Sequence, residues 1–297
     1  MKKLSVMVMA GVMALGMVGC GSTAAEAPAE STVPAAESTA AETTESTAEA
    51  QTETADAQTE AGRQFVVGFD AEFPPYGYKD DSGEYVGFDL DLAQEVCDRL
   101  GWTLVKQPID WDAKDMELNS GAIDCIWNGF TMTGREDEYT FSKPYVDNSI
   151  VYVVRADSDI QTEADLAGKH VITQAGSSAL SALQDESKAD VVNSFASLDE
   201  IADYNTAFMN LEAGTNDAIA VDIGVAQYQL TTKADKFRML EEPLSTEQYA
   251  IGFKKGNEEL RDQVQATLDE MAEDGTLAEI AAKYKDYNLD QMLCLGK

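Results

Sequence analysis

Three segments carry residues whose chemistry points outward rather than into a core. Arg135 ends the run Gly129-Phe130-Thr131-Met132-Thr133-Gly134-Arg135. Its planar guanidinium is always charged and can donate two parallel hydrogen bonds to a carboxylate. Asp222 follows the apolar run Ala218-Ile219-Ala220-Val221, which places it at the C-terminal end of a strand, where ligands gather in open α/β sheets. Gln174-Ala175-Gly176-Ser177-Ser178-Ala179-Leu180 sets a glycine turn and two hydroxyls ahead of a helical run, so backbone N–H groups there can meet an anion. A guanidinium for a carboxylate, an aspartate for an ammonium and shelter from water are what a bound zwitterion requires. Each residue also has a plainer use. Arg135 can pair at the surface with Glu136 or Asp137, and Asp222 and the serines can simply cap helices.

The elements that position these residues read as alternating strands and helices, an α/β pattern. Gln64-Phe65-Val66-Val67-Gly68-Phe69 predicts a buried strand, followed by a Pro74-Pro75 loop and a turn at Asp80-Asp81-Ser82-Gly83. Asp89, then Leu90, Leu92, Ala93, Val96 and Leu100 at helical spacing, predicts a helix stopped by Gly101. Trp102 to Val105 predicts a return strand. Gly121-Ala-Ile-Asp124-Cys-Ile126 and Gly214-Thr-Asn-Asp217-Ala-Ile219 share one form, a glycine that ends a helix before an apolar strand. Each is expected in its own lobe. Ser149-Ile-Val-Tyr-Val-Val154 and Tyr249-Ala-Ile-Gly-Phe253 are expected as extended segments that cross between lobes.

The chain of 297 residues opens with Met1-Lys2-Lys3 and an apolar stretch, Leu4 to Val18, too short to span a bilayer permanently. Residues 1–19 read as an export signal, and Gly19-Cys20 resembles the cleavage site of bacterial lipoproteins, where the cysteine receives lipid. Residues 20–62 are Ala, Thr, Ser and Glu with almost nothing to bury, so a disordered leash is expected. That leash carries nine acids, Glu26 to Glu60. Most of the formal charge of -33 therefore belongs to the body, which makes nucleic acid an unsuitable partner. Cys97, Cys125 and Cys294 remain, an odd number without metal-ligand spacing, so at most one internal disulfide can form, Cys97 with Cys294 being one pairing. The lone histidine, His170, leaves no obvious serine-histidine triad; carboxylate acid-base chemistry stays open.

Val67-Gly68-Phe69-Asp70-Ala71-Glu72-Phe73-Pro74-Pro75-Tyr76 and Gly87-Phe88-Asp89-Leu90-Asp91-Leu92-Ala93 resemble the amino-acid-binding proteins of ATP-driven importers, solute-binding family 3. Phe141-Ser142-Lys143-Pro144-Tyr145, Gly168-Lys169-His170-Val171 and Asp274-Gly275-Thr276 add to the likeness, which covers Gln64 to Asn288. The resemblance implies a two-lobed periplasmic-binding-protein-like fold of type II, with residues 63–148 and 247–297 in one lobe and 149–246 in the other. It implies a hinged cleft in which Arg135 takes the α-carboxylate, with Ser177 and Ser178 facing it, and Asp222 takes the ammonium. Asp70, Phe73 and Trp111 would hold the side chain over a floor of Asn128, Gly129 and Thr131, favouring a polar or cationic amino acid. Trp127 is expected in the core. The implied protein is an extracytoplasmic monomer without cofactor, metal or catalytic residues, lipid-anchored through Cys20 and serving a membrane permease and ATPase. A ligand sensor and a small-molecule lyase on the same fold are the alternatives.

Overall fold

Two mixed sheets organise residues 62–297, which are the residues this computed structural model describes. The segments expected as export signal, lipidated Cys20 and leash, up to residue 61, lie outside them. Both sheets belong to one unit, Asp56–Lys297. The first runs Thr103–Pro108, Gln64–Phe69, Cys125–Ile126, Gly252–Lys254, Tyr139–Phe141. Its first three strands are parallel and the last two pairings are antiparallel. The second runs Ser197–Ile201, His170–Gln174, Ala218–Asp222, Val146–Arg155, Phe237–Met239, with Ser245–Tyr249 also on Val146–Arg155. A small antiparallel sheet of Glu72–Phe73, Gly77–Lys79 and Tyr85–Val86 sits beside the first. The fold is thus the expected two-lobed α/β architecture.

Local chemistry accounts for the element ends. Parallel strands covered on both faces read as continuous apolar runs, and Phe65, Val67 and Phe69 are fully buried, each contributing roughly 1.5–3 kcal/mol. The helix Phe88–Leu100 stops at Gly101, whose φ of 69° is a left-handed C-cap. Gly121 and Gly214 end the helices Lys114–Ser120 and Tyr204–Ala213 in the same way. Each hands the chain to a strand, Cys125–Ile126 in the first sheet and Ala218–Asp222 in the second. The Asp80 turn closes through Gly83 N–H to the Asp80 carbonyl at 2.9 Å, and the Pro74-Pro75 bond is cis.

The passages between sheets differ in detail from the sequence expectation. The first is a long strand, Val146–Arg155, which begins before Ser149. Tyr249 to Phe253 is not one extended segment. Ser245–Tyr249 pairs with Val146–Arg155 in the second sheet, whereas Gly252–Lys254 belongs to the first. The chain changes sheets at Ala250 and Ile251, so the two passages lie side by side with Asn148 opposite Glu247 and Val146 opposite Tyr249. Leu293 bridges to Val146, which lays the C-terminal segment against the same passage. Cys97, Cys125 and Cys294 are all free thiols. Among the described residues no helix is long and apolar enough to cross a membrane.

Candidate functional site

A small cavity opens where the parallel strands of the two sheets end, as the topology of open α/β sheets dictates. Phe73, Trp111, Asn128, Gly129, Thr131, Arg135, Gln174, Ser177, Ser178 and Asp222 line it. The sequence named all of these except Gln174, and of the residues it named only Asp70 is absent from the wall. Asn128 and Gly129 follow the strand Cys125–Ile126, Gln174 ends His170–Gln174, and Asp222 ends Ala218–Asp222.

The floor is fixed by a buried carboxylate. Asp89 is completely buried; it accepts from Gly129 N–H at 2.5 Å and from the Tyr145 hydroxyl at 2.9 Å. Burial pushes its pKa up to about 7, against the pull of those two donors. Gly129 has φ 56°, and a Cβ there would stand 2.9 Å from the Tyr249 ring and 3.1 Å from the Phe73 ring, so only glycine fits. Asp89 lies in the first turn of its helix, as expected of an acid favourable to the helix start, and it also anchors the cavity floor.

Arg135 does not pair with Glu136 or Asp137. Its guanidinium donates to the Thr131 carbonyl and, across the cleft, to the Gly176 carbonyl, each at 3.3 Å, and it lies 5.1 Å from the centre of the Phe130 ring. Trp111 Nε1 also donates to the Gly176 carbonyl, at 3.3 Å. Two first-lobe side chains therefore converge on one second-lobe turn. Ser177 is the N-cap of Ser178–Gln184, its hydroxyl accepting from Leu180 N–H at 3.0 Å. The capping use read from sequence thus applies to Ser177. Ser178 instead donates from Oγ to Glu247 Oε1 at 3.1 Å.

Asp222 occupies an N-cap position, yet its side chain caps nothing. Its Oδ1 accepts from Asn148 Nδ2 at 2.8 Å and from the Tyr249 hydroxyl. It is 3% exposed; burial first, and then the charge of Glu247, raises its pKa to about 7. An almost dry carboxylate without a cationic partner is set to receive one. Asp70 lies one shell behind the wall. Gln174 Nε2 donates to Asp70 Oδ2 at 2.6 Å and to the Ala202 carbonyl at 2.8 Å, and burial raises Asp70 to about 6. Asp70 borders instead a wide, open groove that also touches Trp111, Glu72, Asp110, Asp112, Glu117 and Asp203. Asp70 thus stands behind Gln174, whose side chain it holds and which itself forms part of the cavity wall.

Residues 65–287 match the bacterial extracellular solute-binding proteins, family 3. The chain belongs to that family. The L-cystine-binding protein of Escherichia coli (strain K12) is 29% identical over 222 residues, covering 74% of this chain and 81% of that protein. The lysine/arginine/ornithine-binding periplasmic protein of the same strain is 30% identical over 233 residues, covering 75% and 88%. A substrate-binding protein of an ABC uptake transporter from Streptococcus pneumoniae, solved with bound histidine, superposes with a TM-score of 0.71 at 33% identity over 74% of this chain and 92% of that one.

Family 3 membership agrees with the motif likeness, and the structure adds residues to the site that the motifs did not single out. Gln174 stood at the edge of a quoted segment without a role. Asn148, Glu247 and Tyr249 come from the two passages between sheets and meet only through their pairing. Trp127 is buried in the core of this family 3 chain, where the sequence placed it. His170 begins the strand whose other end, Gln174, reaches the cavity; it contacts Ser197 Oγ at 2.8 Å and takes no part in the site.

Proposed function

We propose that this protein binds a free amino acid, polar or cationic, in the cleft between its lobes. The observation that carries the reading is that Arg135 and Asp222 both line one small cavity, a cation and a buried anion suited to the two charges of an α-amino acid. Aromatic faces of Phe73 and Trp111 line the same cavity and suit an apolar stem or a cationic head. The adjoining groove has six carboxylates and no lysine or arginine in its wall, so its field favours a positive side chain over an acidic one.

In this reading the solute joins the lobes, the closed form is the signal, and a membrane permease with its ATPase receives it for import. Residues 1–19 direct export, Cys20 carries the lipid that anchors the protein outside the membrane, and residues 20–62 tether a monomeric, non-catalytic body. Tryptophan fluorescence tests the binding step, because Trp111 forms part of the wall. Saturable changes with L-arginine, L-histidine, L-glutamine or L-cystine, lost in Arg135→Ala, support the reading; an unresponsive spectrum with all of them contradicts it. Labelling cells with an alkyne fatty acid tests the anchor: the label is expected on the wild type and not on Cys20→Ser, and equal labelling of both contradicts it.

A further inference from the structure

Glu247 is a buried carboxylate, 8% exposed, to which the cleft so far gives no role. Its Oε1 accepts from three donors: Thr131 Oγ1 at 2.7 Å, Asn148 Nδ2 at 2.8 Å and Ser178 Oγ at 3.1 Å. Thr131 comes from the first-sheet side, Asn148 from the passage between sheets and Ser178 from a helix of the second lobe. Both hydroxyls line the cavity, whereas Glu247 does not. An ionised carboxylate only accepts, so each hydroxyl commits its single proton to Glu247 and turns lone pairs to the cavity. Asn148 Nδ2 directs its remaining proton to Asp222 Oδ1 at 2.8 Å. Thr131, Ser178 and Asp222 thereby form one set of acceptors.

Resting on the solute-binding reading, we propose that Glu247 is a positioning residue that sets the hydrogen-bond polarity of the cleft. It holds Thr131 and Ser178 as acceptors, so the site takes a solute bearing an ammonium over the same solute bearing a hydroxyl. An ammonium offers three protons to this acceptor set, and a hydroxyl offers one. Serine and threonine hydroxyls otherwise rotate to donate or accept, and would tolerate either solute. The sequence reading, in which the Ser177-Ser178 turn faces a carboxylate, changes accordingly: the Ser178 hydroxyl faces the amine.

Titration calorimetry of the whole protein with two solute pairs tests this. The pairs are L-arginine with 2-hydroxy-5-guanidinopentanoate, and L-histidine with 2-hydroxy-3-(imidazolyl)propanoate. The wild type is expected to prefer the amino acid by about 100-fold or more, as sites with fixed polar partners do. In Glu247→Ala that preference falls at least about tenfold, and in Glu247→Gln it falls to an intermediate value, because the amide both donates and accepts. Ser178→Ala, at a half-buried position, gives an independent check should the Glu247 variants not fold. It is expected to weaken the amino acid more than the hydroxy acid. Equal loss for both members of a pair, in any folded variant, overturns the proposal while leaving the solute-binding reading intact. No heat from either amino acid with the wild type overturns both.

Discussion

Asp222→Asn separates the cost of the site from its use, because the two respond in opposite directions. In the folded protein Asp222 ionises near 7 rather than at its ordinary 3.8, mainly because it is buried and secondly because Glu247 is close. A raised acid stabilises the fold below its ordinary range, and that contribution is lost as pH rises through 7. Each tenfold change in proton affinity corresponds to about 1.4 kcal/mol, so ionised Asp222 costs the unliganded fold on the order of 4 kcal/mol at most. Asparagine keeps the shape and still accepts from Asn148 while removing the charge. Allowing for imperfect accommodation, we expect a gain of about 1–3 kcal/mol above pH 7, or roughly 2–10 °C in melting temperature for a body of this size. Solute affinity moves the other way. Removing one partner of a buried charge pair costs about 2–5 kcal/mol, a weakening of about 30-fold to several thousand-fold by calorimetry. Loss of melting temperature at pH 8 would refute the burial argument, and unchanged affinity would refute the ammonium role.

Arg135→Lys keeps the charge but loses the two-pronged geometry, and is expected to weaken amino-acid binding about 10- to 100-fold with little change in melting temperature. Wild-type affinity in that variant would remove Arg135 from carboxylate binding. Gly129→Ala forces a left-handed φ of 56° on a residue with a Cβ and drives it to 2.9 Å from Tyr249. About 2 kcal/mol of strain, or roughly 4–8 °C of melting temperature, is expected, and an unchanged transition would contradict the described floor. The unliganded protein should melt higher at pH 5 than at pH 8, because Asp70, Asp89 and Asp222 ionise at about 6, 7 and 7 when folded. All three sit above the ordinary carboxylate range, so their contribution is present at acid pH and lost as pH rises through 6 to 7. A stability maximum at pH 8 would contradict it.

Local signals carried much of the fold. The glycines that end helices at Gly101, Gly121 and Gly214 act through their own left-handed backbone, which a sequence displays directly. Asp222 was legible because an aspartate after an apolar strand falls at a sheet's C-terminal edge, whatever else the chain does. Asp70 shows the limit of the same argument. It too follows an apolar strand, but its oxygens are turned to Glu72 N–H at 2.8 Å and to Gln174, and the second of these partners lies in the other lobe. Glu247 was illegible for a similar reason. Its donors Thr131, Asn148 and Ser178 meet it only through the register of Ser245–Tyr249 on Val146–Arg155 and the approach of the second lobe. Tyr249 to Phe253 misled because two short strands separated by a change of sheet show the same apolar run as one strand.

The central claim, that the cleft holds an amino acid by both of its charges, is tested most directly by thermal unfolding of the protein against the twenty amino acids and L-cystine. A solute bound only by the folded state raises the melting temperature, by about 2.7 kcal/mol of stabilisation at one hundred times its dissociation constant. The account predicts a rise with one or more of arginine, lysine, histidine, glutamine or cystine, abolished in Arg135→Ala and cut to about 0.9 kcal/mol or less in Asp222→Asn. A rise confined to glutamate or to small apolar amino acids would contradict the polar or cationic side-chain pocket, and no rise with any of them would contradict amino-acid binding itself.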